Sequence, residues 1–260
     1  MHIAKTFAAF AFAAALSAGA AQAQTEIKFG HVGEPGSLFD QSAQEFAKRA
    51  NAKLGSKAKV TVYGSSQLGG DGELMKKLKL GTVDLALPST VMSSQVPAFG
   101  VFEMPYLVKD RTHMAKIRDQ VVNPTLVPIA EKSGYHIIAI WENGFRQITN
   151  SKHPIVKPDD LKGLKLRVPG GTWRVKMFKA YGANPSPLAF SEVFVAHIKV
   201  DGSKWQRRGS ARRPSLTPSA ASQVASTAWL IMRRLAGERL LASSFSAATP
   251  TATDHACKCV

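Results

Sequence analysis

Cysteine is nearly missing from this 260-residue chain: Cys257 and Cys259 are the only two, one residue apart at the C-terminus. No disulfide framework can follow from that count. With His255 they also fall short of the four ligands of a structural zinc site. Long apolar runs are scarce too. The uncharged stretch from Thr6 to Ala20 is shorter than the roughly 20 residues that span a bilayer, and no later segment reads as transmembrane. No glycine motif for nucleotides is present, since Gly69-Gly70-Asp71-Gly72 fits neither the dinucleotide fingerprint nor the P-loop. G-x-S-x-G and H-E-x-x-H are absent as well, which leaves a periplasmic hydrolase without visible machinery. His113, His136 and His153 have no partners at catalytic spacing. Acidic residues are rare near the end: residues 204–260 hold two of the 18 Asp and Glu but nine of the 34 Lys and Arg. Such a basic tail suits nucleic acid or an anionic surface, but it lacks the interleaved aromatics of a single-strand binder.

What is present reads as an exported globular protein. Lys5, the uncharged run after it and Ala21-Gln22-Ala23 match a cleaved signal peptide over residues 1–23. A hydrophobic content of 45% with 8% aromatics is ordinary for a folded chain. From Glu26 strands and helices alternate. Glu26 to Val32 predicts a strand, Phe39 to Leu54 a helix started near Ser37 and stopped by Gly55, and Ala58 to Tyr63 a second strand. Asp71 to Leu80 predicts a helix closed by Gly81, and Val83 to Leu87 a third strand. The proline-broken segment Pro88 to Pro105 is expected to thread between lobes. Arg111 to Lys132 predicts a helix interrupted at Asn123-Pro124, and Tyr135 to Trp141 a buried strand. This alternation implies an α/β fold with a mostly parallel sheet.

The stretch from Leu161 to Val193 carries the clearest functional signal. Leu164, Leu166 and Val168 alternate with Lys165 and Arg167 as in a half-buried strand, which Pro169-Gly170-Gly171 stops. Thr172 is expected to cap a helix bearing Val175, Met177, Phe178 and Tyr181. Arg167 thus falls near the carboxyl end of a strand, where open α/β sheets bind ligands. A guanidinium there offers a planar fork of donors to a carboxylate. From spacing alone, a structural ion pair fits equally well.

With its flanks, this block resembles the periplasmic solute-binding proteins of tripartite ATP-independent periplasmic (TRAP) transporters. The matching stretches are Ser65 to Leu87, Glu142 to Asn150, Leu161 to Pro169 and Asn184 to Phe194, in that order, within about Glu26 to Gly202. The resemblance implies a two-lobed binding-protein architecture of type II character, with a first lobe at 24–144 and the start of a second at 145–203, each incomplete. It implies a monomer without cofactor, metal or nucleic acid, which captures a small organic acid in the periplasm and passes it to the TRAP membrane permease subunits. It also implies that Arg167 pairs with the ligand's carboxylate, that Arg146 is a second contact, and that Asp71 and Ser89 supply polar contacts from the first lobe. Phe190 on the Pro185-Pro187 loop is expected to close over the ligand, and His31 at the end of the first strand to point into the same cleft.

After Gly202 the resemblance stops. Relatives commonly continue with a motif containing Glu-Asn, whereas Ser203-Lys204-Trp205 stands here. Loss of one G from a stretch coding for Ser-Glu-Asn-Gly (TCG GAA AAT GGC) yields Ser-Lys-Trp, so the expectation is a reading-frame change. The product would be a disordered basic tail over 204–260, missing the last strands of each lobe and impaired in ligand binding.

Overall fold

The computed structural model describes residues 24–146, 148–150, 152–193 and 225–233. The leader at 1–23, the cysteines and most of the tail therefore lie outside the described residues.

The chain is a two-lobed α/β protein, and each lobe is marked by a sheet of its own. Strand β1 (Thr25–Gly30) pairs parallel with β2 (Ala58–Tyr63) on one side and β3 (Leu85–Ala86) on the other. Helix α1 (Leu38–Leu54) crosses between β1 and β2 and starts where the sequence places it. Ser37 is the N-cap, its side chain accepting from the Asp40 amide, and Gly55 closes the last turn back to Asn51. Ala43, Phe46, Ala47, Ala50 and Leu54 give α1 its buried stripe. They pack on Phe29, Val60 and Leu85 of the sheet, with Phe29 and Phe46 edge to face at 5.6 Å.

A second core lies on the opposite side, where α2 (Asp71–Leu80) brings Leu74, Met75 and Leu78 against Met92, Phe99, Phe102 and Tyr135. The Pro88 to Pro105 segment, which contributes Met92, Phe99 and Phe102, forms a short helix α3 (Met92–Gln95) and a 3-10 helix (Pro97–Glu103). At Asn123-Pro124 the expected break is absent. Helix α4 (Arg111–Ile117) runs on as wide π turns (Arg118–Leu126) into α5 (Val127–Lys132), a geometry that absorbs the amide missing at Pro124.

Strand β4 (Tyr135–Phe145) is longer than predicted. The larger departure concerns the tail. Ala225–Arg233 is a strand, β7, running antiparallel between β3 and β4, in the sheet order β2-β1-β3-β7-β4. A disordered tail is therefore incorrect for these residues. Ile231, opposite Ala86 and Ile137, is fully buried, as a sheet interior requires.

The second lobe holds β5 (Lys165–Val168), helix α6 (Thr172–Ala180) and β6 (Asn184–Pro187), with Leu161, Leu164, Val168 and Phe178 as its core. Here Gly171 rather than Thr172 occupies the N-cap position. The segment expected to be a proline loop is a strand, β6, parallel to β5. Asn184 and Leu188 donate to Leu164 and Val168, and in a parallel strand the intervening Pro185 and Pro187 need no donor toward that neighbour.

His31 is enclosed just beyond β1. Its Nδ1 accepts from the Gly33 amide at 3.1 Å, while Nε2 lies 3.8 Å from Asp40. Burial lowers its pKa from 6.5, and Asp40 opposes the shift. A depressed folded pKa favours the neutral ring, so this contribution is complete above 6.5 and is lost as pH falls through the folded value. His31→Asn, which keeps an acceptor for Gly33, is expected to flatten the acid limb of stability below pH 6.5 by less than about 1.4 kcal/mol per pH unit. Urea titrations between pH 7 and 5 measure it, and an unchanged limb would count against this role.

Candidate functional site

A cavity of about 830 Å3 opens between the carboxyl ends of the two sheets. Its size is that of small-molecule sites in general. The first lobe contributes the turn after β1 at Val32 and Gly33, the start of α1, Asp71 at the first position of α2 and Ser89 after β3. The second lobe contributes Arg167, the Pro169-Gly170 turn, and Leu188 to Glu192 after β6.

Arg167 ends up where its strand position implies, half-buried in the cavity wall. One edge of its fork is occupied, because Nε and Nη2 both donate to the Leu188 carbonyl, at 3.0 and 2.6 Å. Among the described residues Nη1 has no protein partner, so the outer edge of the fork is left without one in the cavity wall. The inner edge fixes the side chain's direction in advance. Burial and the neighbouring Arg174 lower its pKa, and Asp71 opposes them.

Arg146 follows directly on β4 and also lines the cavity. Its Nη2 donates to Thr90 Oγ1, while the buried Nε has no partner among the described residues. Burial, then repulsion from Arg174 and Arg167, pulls its pKa down to about 10, against the pull of Glu103 and Asp71. It stays charged at neutral pH. Cationic groups this crowded gain from an anion placed among them.

Asp71 accepts from Ser89 Oγ at 2.9 Å through Oδ2, whereas Oδ1 is buried and unpartnered among the described residues. Its pKa is raised by burial, against the effects of Ser89, Arg146 and Arg167. Asp71 is not the N-cap of α2, a position held by Gly70. Phe190 lines the cavity from the second lobe and stays 47% exposed, as Leu38 of α1 in the first lobe does at 43%. His31 is the exception among the expected site residues, being buried and not part of the cavity lining. Its link to the lining is the Gly33 amide, which donates to its Nδ1.

Sequence reasoning missed two residues behind this wall. Arg174 and Glu103 are both buried, at 2% and 3% exposure, and face each other at 3.3 Å. Nothing in the spacing of α6 distinguishes Arg174 from a solvated helix arginine. Among the described residues no group of three or more His, Cys, Asp or Glu could hold a metal, and no helix is long and apolar enough to cross a membrane.

Residues 29–205 match the bacterial extracellular solute-binding protein family 7, also named DctP. The chain belongs to this family. Among similar proteins, the 2,3-diketo-L-gulonate-binding periplasmic protein YiaO of Escherichia coli is 30% identical over 190 residues, covering 73% of this chain and 58% of the relative. The C4-dicarboxylate-binding periplasmic protein DctP of Rhodobacter capsulatus is 34% identical over 190 residues, covering 72% and 57%. This family 7 chain thus spans little more than half the length of these relatives. Two crystal structures of TRAP periplasmic solute-binding proteins share its fold. That from Polaromonas sp. JS666, bound to D-erythronate, has a TM-score of 0.73 and 28% identity, covering 87% of this chain and 78% of that one. That from Sulfurospirillum deleyianum, with bound succinate, has a TM-score of 0.73 and 29% identity, covering 88% and 78%. Family 7 is a family of solute-binding transport proteins rather than of enzymes, and its members are periplasmic.

Proposed function

We propose that this chain, exported by a cleaved signal peptide over residues 1–23, captures a small organic acid between its lobes as a monomer and delivers it to the membrane permease of a TRAP transporter. The observation that carries the reading is the outer edge of Arg167, free among the described residues, in a cavity walled by both lobes. The ligand's carboxylate lies against that edge with Arg146 beside it, where charge-assisted bonds in a partly desolvated site are strong. Asp71 and Ser89 face the acid's other end, and Phe190 covers it. The acids in the similar structures, D-erythronate, succinate and, in a Haemophilus influenzae protein of 25% identity, L-gulonate, supply the panel of candidates. An acidic side chain opposite the arginines favours the hydroxylated members, since a hydroxyl suits Asp71 better than a second carboxylate does.

Leu38 of the first lobe and Phe190 of the second are large apolar residues that line the cavity and stay exposed, an arrangement that hinge closure would bury. Saturation with the best-binding acid of the panel is therefore expected to make the protein more compact. Small-angle scattering with and without that acid measures this. An identical radius of gyration at saturation would point to a site on one lobe alone.

A further inference from the structure

Behind the cavity wall, the two lobes meet through residues that touch no ligand space. Glu103 ends the 3-10 helix of the first lobe and Arg174 lies on the first turn of α6 in the second. Arg174 Nη2 lies 3.3 Å from Glu103 Oε1, and Ser93 Oγ donates to the same oxygen. Arg174 Nη1 donates to the carbonyls of Pro169 and Gly170, both at 3.0 Å. Those two residues line the cavity directly after Arg167. The backbones approach closely around the pair. A Cβ on Gly171 would meet Glu103 Oε1 at 2.9 Å, and one on Gly100 would meet the Trp173 indole at 2.4 Å, so glycine is required at both contacts.

The pair is poorly built for stability alone. Glu103 Oε2 and Arg174 Nε and Nη2 have no hydrogen-bond partner among the described residues, although all three are buried, so the 3.3 Å approach is a charge contact rather than a hydrogen bond. Burying two charges with incomplete bonding is often no better than packing apolar groups in their place. Its geometry instead connects a first-lobe residue to the second-lobe wall that presents Arg167.

We propose that Glu103 and Arg174 form a clasp between the lobes that positions the Pro169-Gly170 wall, and with it Arg167, for the anion. Neither is a ligand contact; both act through the wall. The lowered pKa values of Arg146 and Arg167 agree, because Arg174 is among the causes of each. The inference rests on the reading of the cavity as an organic-acid site.

The test combines calorimetry against D-erythronate, L-gulonate and succinate with hydrogen exchange on the full chain. Glu103→Ala and Arg174→Met are each expected to weaken the tightest of these acids about tenfold. The double variant should be no weaker than the worse single one, because the two residues act as a unit. Glu103→Gln keeps an acceptor for Ser93 and a polar oxygen facing Arg174, and should restore affinity to within about twofold of the parent. Amide exchange should accelerate in residues 98–104 and 170–176 together while α1 and β2 stay protected. Unchanged affinity in both single variants, additive losses, or exchange rising evenly along the chain would overturn the clasp. Should the parent bind none of the three acids, the functional reading fails, and the exchange pattern alone decides: paired local acceleration supports the clasp and its absence refutes it.

Discussion

Arg167→Ala is expected to weaken carboxylate binding at least about thirtyfold while the protein still melts cooperatively. Truncating one partner of a partly buried, hydrogen-bonded charge pair costs about 2–5 kcal/mol, and each 1.4 kcal/mol is about tenfold in affinity. The side chain sits at a cavity wall, so its loss opens no void in the core of the second lobe formed by Leu161, Leu164, Val168 and Phe178. Arg167→Lys separates charge from geometry. An ammonium cannot satisfy the Leu188 carbonyl and a carboxylate with one rigid fork, so the lysine variant should also bind weakly. Titration calorimetry of both variants, with melting curves as the control for folding, checks this. Parent-like affinity in either would remove Arg167 from its assigned role.

Ile231→Asp has the other large expected effect, this time on stability. Ile231 is fully buried in the antiparallel strand β7, in a core shared with Met92, Phe99, Phe102 and Tyr135. An unpaired carboxylate there costs several kcal/mol, a large share of the roughly 5–15 kcal/mol that holds an ordinary domain folded. The variant should lose its cooperative transition by circular dichroism, whereas Ile231→Val should cost only about 0.5–1.5 kcal/mol. A parent-like melt for Ile231→Asp would show that β7 contributes nothing, and the sequence expectation of a foldless tail would stand for these residues too.

That contrast shows where sequence reasoning holds and where it gives out. Helix α1 was legible because every local signal agrees, from the Ser37 cap through the apolar stripe to Gly55. Arg167 was legible because a short alternating strand ended by Pro-Gly-Gly fixes which end of the sheet it occupies. Strand β7 was not. Its run Ala228 to Met232 stands among basic, Ser-rich and Ala-rich residues, and only pairing with β3 and β4, far off in sequence, gives it a place. β6 was hidden by its two prolines, which a parallel edge tolerates. The clasp was hidden for a different reason: Glu103 and Arg174 lie far apart in the chain, and neither departs from the local pattern of its helix. His31 was misplaced because a strand end near a cleft says nothing about which way the ring turns. The Gly33 amide and Asp40 turn it inward.

The most direct test of the account is calorimetric titration of the full chain with D-erythronate, L-gulonate and succinate at neutral pH and low salt. The account predicts saturable binding of at least one of these acids at one site per chain, tighter for a hydroxylated acid than for succinate, and weakened at least about thirtyfold in Arg167→Ala. Absence of binding for all three, or binding that survives Arg167→Ala unchanged, would contradict it.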